Sequence, residues 1–182
     1  GLLSIQDAQN VDAIEVKEAS EVMSLHDALK SGQLQYDTVV LDSVSEISEI
    51  LLTWEKSRSK DPRMAYGNVQ ESVTNLMRAF RDLHMHVLFL CKEDVVNDDG
   101  ILRHAPKMVG TKLGESITYF FDEVLALRII EDQDDEGKNI QNRWLQTVYG
   151  QGYKAKDRSG KLDNFEKPDI SALIQKLGFS LT

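Results

Sequence analysis

One cysteine and three prolines are all that this 182-residue chain carries of the two residue types that constrain a backbone most. The lone cysteine, Cys91, excludes an internal disulfide and a cysteine zinc cluster. No apolar run approaches the ~20 residues that a membrane-spanning helix needs. The N-terminus lacks the basic, apolar, small-residue succession of a secretory signal. These absences point to a cytoplasmic, reducing setting with no membrane partner. Positive charge is also scarce: 21 Lys and Arg face 30 Asp and Glu, a net charge of -9. Such a chain is a poor non-specific nucleic-acid binder as a whole, so any contact with DNA or RNA must come from local basic segments. Hydrophobic residues make up 41% and charged residues 28%, and the length allows one domain with a sizeable core. The first residue is Gly rather than Met, so a longer parent protein is the expectation.

Apolar runs and helical stripes alternate along the chain. Residues 13–16 are a short strand candidate, and residues 20–30 read as a helix stopped by Ser31-Gly32. Residues 37–42, Asp-Thr-Val-Val-Leu-Asp, form an unalternating run suited to a central strand buried on both faces. A helix over 44–56 places Ile47, Ile50, Leu51 and Trp54 on one side, and a loop follows over 57–67. The clearest helix is 68–83, with Val69, Val73, Leu76, Met77, Phe80 and Leu83 on one face. Residues 87–91 are the next buried strand. A polar loop over 97–114 and a short helix over 115–121 come next. Strands at 123–130 and 143–148 are expected to pair as an antiparallel hairpin across an acidic turn. A short helix over 169–177 ends the chain, with Pro168 in its first turn. This order predicts an α/β sandwich with a parallel centre and an antiparallel edge.

In open parallel sheets, ligands bind beyond the C-terminal ends of the strands. Asp42 is placed there, after Val39-Val40-Leu41. Magnesium prefers oxygen ligands and keeps several waters, so one or two protein carboxylates suffice to hold it. The same Asp also suits an N-cap for the helix beginning near Val44, a role that Ser43 can share. The pattern alone leaves both roles open.

Five segments carry a family resemblance: Gly1-Leu2-Leu3-Ser4, Tyr36-Asp37-Thr38-Val39-Val40-Leu41-Asp42-Ser43, Pro106-Lys107-Met108-Val109-Gly110-Thr111-Lys112, Phe121-Asp122-Glu123-Val124 and Tyr153-Lys154-Ala155-Lys156-Asp157-Arg158. In order and spacing the chain resembles the phage-type RecA-like P-loop ATPases of the AAA superfamily, some of which are single-strand annealing or recombination ATPases. The resemblance implies a three-layer RecA-like core over residues 1–182, with a mostly parallel sheet and an antiparallel C-terminal hairpin. It implies ATP and Mg2+ as cofactors, with Asp42 as the metal ligand and Ser43 as a further nucleotide contact. At the next strand tip, where related folds place a polar group that senses the γ-phosphate, Lys92 or Glu93 would serve, although the family usually has other residue types there. It also implies a homo-oligomer with nucleotide at subunit interfaces. Lys154, Lys156 and Arg158 would then reach toward a neighbour's nucleotide, where a cation stabilises charge on the transferring phosphoryl group.

One departure is large. The phosphate-binding pattern G-x-x-x-x-G-K-[ST] occurs nowhere in the 182 residues. In the family that loop precedes the region where this sequence begins, and the water-activating Glu would sit just before Gly1. The chain is therefore expected to be N-terminally incomplete, lacking its first strand and Walker A segment, and to bind ATP weakly by itself. The alternative is a non-catalytic, degenerate RecA-like interaction subunit. Glu46 and Glu49 are nearby alternatives for a general base, although their place one and two turns into a helix better suits a solvated face.

Two segments run against the acidic balance. One holds Lys56, Arg58, Lys60 and Arg63, the other Arg103, Lys107 and Lys112. In RecA-like folds the corresponding loops can contact single-stranded DNA, and Trp54 or Tyr66 would supply base stacking. The plainer alternative is a solvated polar loop, with Trp54 on the apolar face of its helix. His84 and His86 have strand spacing but no evident third metal ligand. Cys91 is expected to pack as a small hydrophobe.

Overall fold

The computed structural model describes residues 5–133 and 136–180. The resemblance segment Gly1-Leu2-Leu3-Ser4 and the Asp134-Asp135 part of the acidic turn lie outside the described residues. The chain divides into two compact units, residues 1–35 and 36–182. In the first, helix α1 is Ala19–Lys30. A reciprocal capping box between Glu18 and Glu21 opens it, and Val22, His26 and Leu29 are its buried residues. No strand forms over residues 13–16. Four residues of mixed polarity, with no ladder partner, do not hold a strand.

The second unit is built on one parallel pair. Strand β1 (Thr38–Asp42) runs beside β2 (His86–Leu90) in the register Thr38–His86 to Asp42–Leu90. Between them lie helices α2 (Val44–Arg58) and α3 (Pro62–Arg81), which supply the crossover that a parallel pair requires. Helix α3 begins six residues earlier than its apolar stripe suggests. Asp61 accepts a hydrogen bond from Arg63 N at 2.8 Å and Pro62 takes the first helical position, so the helix is capped and pre-set before the stripe starts. Its Val69, Val73, Leu76, Met77 and Phe80 are all buried, each contributing about 1.5–3 kcal/mol by leaving water.

Val69, Val73 and Met77 of this stripe, with Val44, Leu113 and Ile117, form the core cluster against which Leu41 and Phe89 of the strands pack. The strands are therefore covered on the Leu41/Phe89 face. On the other face Val40 is 50% exposed and Leu90 43%, so β1 is not buried on both faces as its composition suggests. An apolar run reports that a strand is central, but the covering elements decide which faces close.

Beyond β2 a hairpin replaces the expected long loop: β3 (Glu93–Asp98) and β4 (Ile101–Pro106) pair antiparallel across Asp99-Gly100. Both turn residues have positive φ, which Gly and Asp tolerate best. Helix α4 (Thr111–Ser116) and a 3₁₀ turn (Ile117–Phe120) follow. Strand β5 (Glu123–Val124) pairs with β8 (Lys156–Asp157). The predicted C-terminal hairpin is present as β6 (Ala126–Gln133) and β7 (Asn139–Gln146), extended by β9 (Phe165–Glu166). Helix α5 (Ile170–Leu177) is capped by Asp169, which leaves Pro168 outside its first turn. The result is a mixed α/β unit in which the expected mostly parallel sheet is represented by the single pair β1–β2, the other described pairings of named strands being antiparallel. Among the described residues no helix is long and apolar enough to cross a membrane.

Candidate nucleotide site at the strand tips

The C-terminal tips of β1 and β2 lie side by side, with Asp42 in register with Leu90. The peptide bond between Asp42 and Ser43 is cis. Ser43 is the N-cap of α2, its hydroxyl accepting from Glu46 N at 3.3 Å. Capping therefore falls to Ser43, and the exposed Asp42 carboxylate makes no hydrogen bond or ion pair among the described residues. Of the two roles the sequence leaves open for Asp42, the cap is occupied by its neighbour.

Two residues on, Ser45 ties the tips together. It is 1% exposed, donates to Lys107 O at 2.7 Å and accepts from Lys92 N at 2.9 Å. Lys107 N in turn donates to Lys92 O at 2.7 Å. The start of α2, the end of β2 and the segment after β4 thus meet at one hydroxyl. Ser48 continues the buried line by donating to Ser45 O at 2.7 Å. The inward stripe of α2 runs through these serines to Leu51 and Leu52, which turns Trp54 outward to 51% exposure. This corrects the placement of Trp54 on the apolar side. The serines read as polar in the sequence, and only their long-range partners reveal them as core. Cys91 packs beside them, its thiol pushed up to about 11 by burial, against a hydrogen bond with Ser45.

Lys92 projects from the tip of β2 onto α2. Its Nζ lies 2.6 Å from Glu46 Oε2 and 3.4 Å from Glu49 Oε2, and these carboxylates, Glu46 first, hold the ammonium above its ordinary pKa. Both alternative base candidates are thus engaged by Lys92.

The three cations of the 154–158 segment stand elsewhere, and each has a partner. Lys154 Nζ lies 2.9 Å from Asp98 Oδ1, with only 15% of its side chain exposed. Asp98 also pairs with Arg103 at 3.1 Å and accepts the Tyr149 hydroxyl. Lys156 donates to Thr118 O at 2.6 Å, and burial lowers its pKa. Arg158 pairs with Asp122 at 2.9 Å, both side chains more than half exposed. A cavity of about 610 Å³ is lined in part by Asp98, Tyr149, Lys154, Lys156 and Asp157. Asp98 and Tyr149 escaped the sequence reading because a turn Asp and an isolated Tyr carry no spacing signal.

The two basic segments separate in space. Arg58, Lys60 and Arg63 are exposed around the α2–α3 junction. Arg58 sits 4.5 Å over the Trp54 ring and Lys56 5.1 Å over Tyr66. Tyr66 reaches the second segment: a Cβ on Gly110 would stand 3.7 Å from its ring. Gly110 has φ 80°, a backbone conformation that favours glycine. Lys107 is exposed on that segment, whereas the side chain of Lys112 lies outside the described set. Arg103 does not join them. It is 13% exposed, bound to Asp98 and stacked 4.4 Å over Tyr149.

His84 lies in the bend before β2, and His86 packs on Phe179 with ring centroids 5.8 Å apart. Among the described residues no cluster of three or more His, Cys, Asp or Glu is placed to hold a metal.

A family profile described as an AAA domain matches residues 1–159. The chain belongs to the AAA domain family. That match takes in the strand tips, the basic segments and the cations of 154–158, and it stops before β9 and α5. An AAA domain is a nucleotide-binding domain of the ATPase type, which agrees with a free carboxylate beyond a parallel strand. No curated protein and no solved structure matches the chain.

Proposed function

We propose that this AAA domain takes part in a Mg-ATP site of a RecA-like ATPase, with Asp42 as the carboxylate that binds the magnesium ion, directly or through water. The observation that carries this is the division of labour at the tip of β1: Ser43 caps α2, and Asp42 is left exposed beside the tip of β2. A single carboxylate suits magnesium, which takes its remaining ligands from phosphate oxygens and water. Ser43 follows Asp42 and Lys92 lies just past the tip of β2, and displacing Glu46 or Glu49 from Lys92 breaks only exposed ion pairs. The phosphate loop motif is not among the 182 residues, so the β- and γ-phosphates would rest on groups supplied from outside this stretch.

Of the three cations assigned to a neighbour's nucleotide in a homo-oligomer, Arg158 fits best. Its exposed pair with Asp122 is worth about 0–1 kcal/mol and is readily exchanged for a phosphate. Lys154 is enclosed in a network, and Lys156 is bound to a backbone carbonyl. Arg58, Lys60 and Arg63, with Trp54 and Tyr66 beside them, form the patch for single-stranded DNA, in keeping with a recombination or annealing role. Lys107 extends it toward Gly110.

The test is an NMR titration of the chain with ATP at millimolar concentration, with and without Mg2+. Shifts at Asp42, Ser43 and Lys92 that require Mg2+ and vanish in Asp42→Ala are the expected result. Shifts unchanged by that substitution, or absent at the strand tips, would overturn the proposal. Turnover of ATP by this chain alone is expected to be negligible.

A further inference from the structure

The cations Lys156 and Arg158 are held to the body of the unit by little backbone. Strand β8 pairs with β5 over two residues, Asp157 opposite Glu123 and Lys156 opposite Val124, and Arg158 N adds a bond to Asp122 O at 3.1 Å. Cross-strand partners share a face, so the Glu123 and Asp157 carboxyl groups stand together at the centre of this short bridge.

Two like groups so placed repel unless one keeps a proton. Asp157 is saturated with donors. Its Oδ1 accepts from Ser159 N at 2.7 Å, Ser159 Oγ at 2.6 Å and Gly160 N at 3.0 Å, and its Oδ2 from Leu162 N at 2.9 Å. These bonds favour the ionised form. Glu123 is in the opposite position: its Oε2 is shut off from solvent, and no donor reaches it among the described residues. Neither nearby cation is ion-paired with it, since Lys156 is turned to Thr118 O and Arg158 to Asp122. Asp122 itself adds negative charge, whereas the Ser159 N–H and the Lys156 charge favour a Glu123 carboxylate.

We propose that Glu123 is a positioning residue: it keeps a proton, donates it to Asp157, and so fixes β8, with the Lys156 cation that it carries and the Arg158 cation that follows it. The importance of those cations rests on the phosphate-directed role proposed above, whereas the clamp can be tested without nucleotide. Burial, followed by the hydrogen bond with Asp157, pushes the Glu123 carboxyl up to about 7. Burial works to raise Asp157 as well, but the Ser159 hydroxyl and the Leu162 N–H outweigh it and hold it at about 2. The sign follows. Between the ordinary value of 4.5 and about 7, folded Glu123 retains a proton that the unfolded chain has lost. Stability therefore falls as pH rises through that window, and above it the bridge carries two negative charges.

The experiment is a carboxyl NMR titration of Glu123 with amide exchange of Val124 and residues 156–158 at pH 6 and pH 8, corrected for intrinsic rates. The wild type is expected to titrate near 7 and to lose roughly tenfold in protection between the two pH values. Glu123→Gln, whose neutral amide still donates, is expected to keep the protection at both values. Glu123→Ala should be weak at both. A Glu123 midpoint near 4.5, or the same tenfold step in the Gln variant, would overturn the clamp. Either result is read on the chain without ATP, so it leaves the nucleotide proposal standing or falling by its own titration.

Discussion

Lys154 Nζ lies 2.9 Å from Asp98 Oδ1, which joins the cationic segment to the β3–β4 hairpin. The same carboxylate takes the Tyr149 hydroxyl and Arg103, while His104 stacks on Tyr153 with ring centroids 4.5 Å apart. Backbone bonds run both ways, His104 N to Gly152 O at 2.7 Å and Lys154 N to His104 O at 2.9 Å. The hairpin and residues 149–154 are therefore coupled, and Asp98 is the hub.

Asp98→Asn is expected to lower the melting temperature and to raise amide exchange over 149–154, leaving the β1–β2 amides unchanged. Asp98 is held below the ordinary carboxylate range, first by Tyr149 and then by Lys154. A depressed acid contributes stability above its unfolded pKa and loses it as pH falls through the folded one. Wild type and variant should thus converge in stability at strongly acidic pH. Parallel curves across the range would show that Asp98 is not the hub.

Asp42→Ala and Ser43→Ala should separate binding from folding. Asp42→Ala is expected to change stability by no more than about 0.5 kcal/mol, as an exposed residue relieved of capping. Ser43→Ala should cost ~1 kcal/mol by removing the cap. Denaturant melts of the two variants check this. The reverse order would return Asp42 to a structural role.

Ser45→Ala removes one hydroxyl but leaves Lys107 O and Lys92 N without their shared partner. A loss of about 1–3 kcal/mol is expected in denaturant unfolding. The companion Ser57→Ala, whose hydroxyl only returns to Trp54 O on the surface, should fall within about 0.5 kcal/mol of wild type.

The surface patch predicts a charge signature. The Arg58/Lys60/Arg63 triple-Ala variant should flatten the salt dependence of single-strand binding by a slope of about 2, at ~0.7 per phosphate contact. Trp54→Ala should cost about 1–3 kcal/mol of binding with little change in that slope, as expected for lost stacking. Arg103→Ala should reduce stability and leave the salt slope unaltered, because its guanidinium is committed to Asp98.

The local signals were legible without coordinates. The 3.6-residue stripe of α3, the apolar runs of β1 and β2, the Asp at the strand tip and the C-terminal hairpin all follow from periodicity and turn chemistry, which depend on near neighbours in the chain. The extent of α3 was misread because capping by Asp61 and Pro62 outweighed a polar first turn. The β3–β4 hairpin was hidden because its strands carry charged and polar residues that mimic a loop.

Local pattern alone thus specifies the α3 stripe, the β1 and β2 runs, the C-terminal hairpin and the position of Asp42 at the end of β1. Only the tertiary structure decided which polar groups are occupied. It buried Ser45 between Lys92 and Lys107, turned Trp54 to the surface, bound Lys154 to Asp98 and set Glu123 against Asp157. Each of these depends on residues brought together from distant parts of the chain. Hydrogen bonding and desolvation are settled by such neighbours, and no local pattern encodes them.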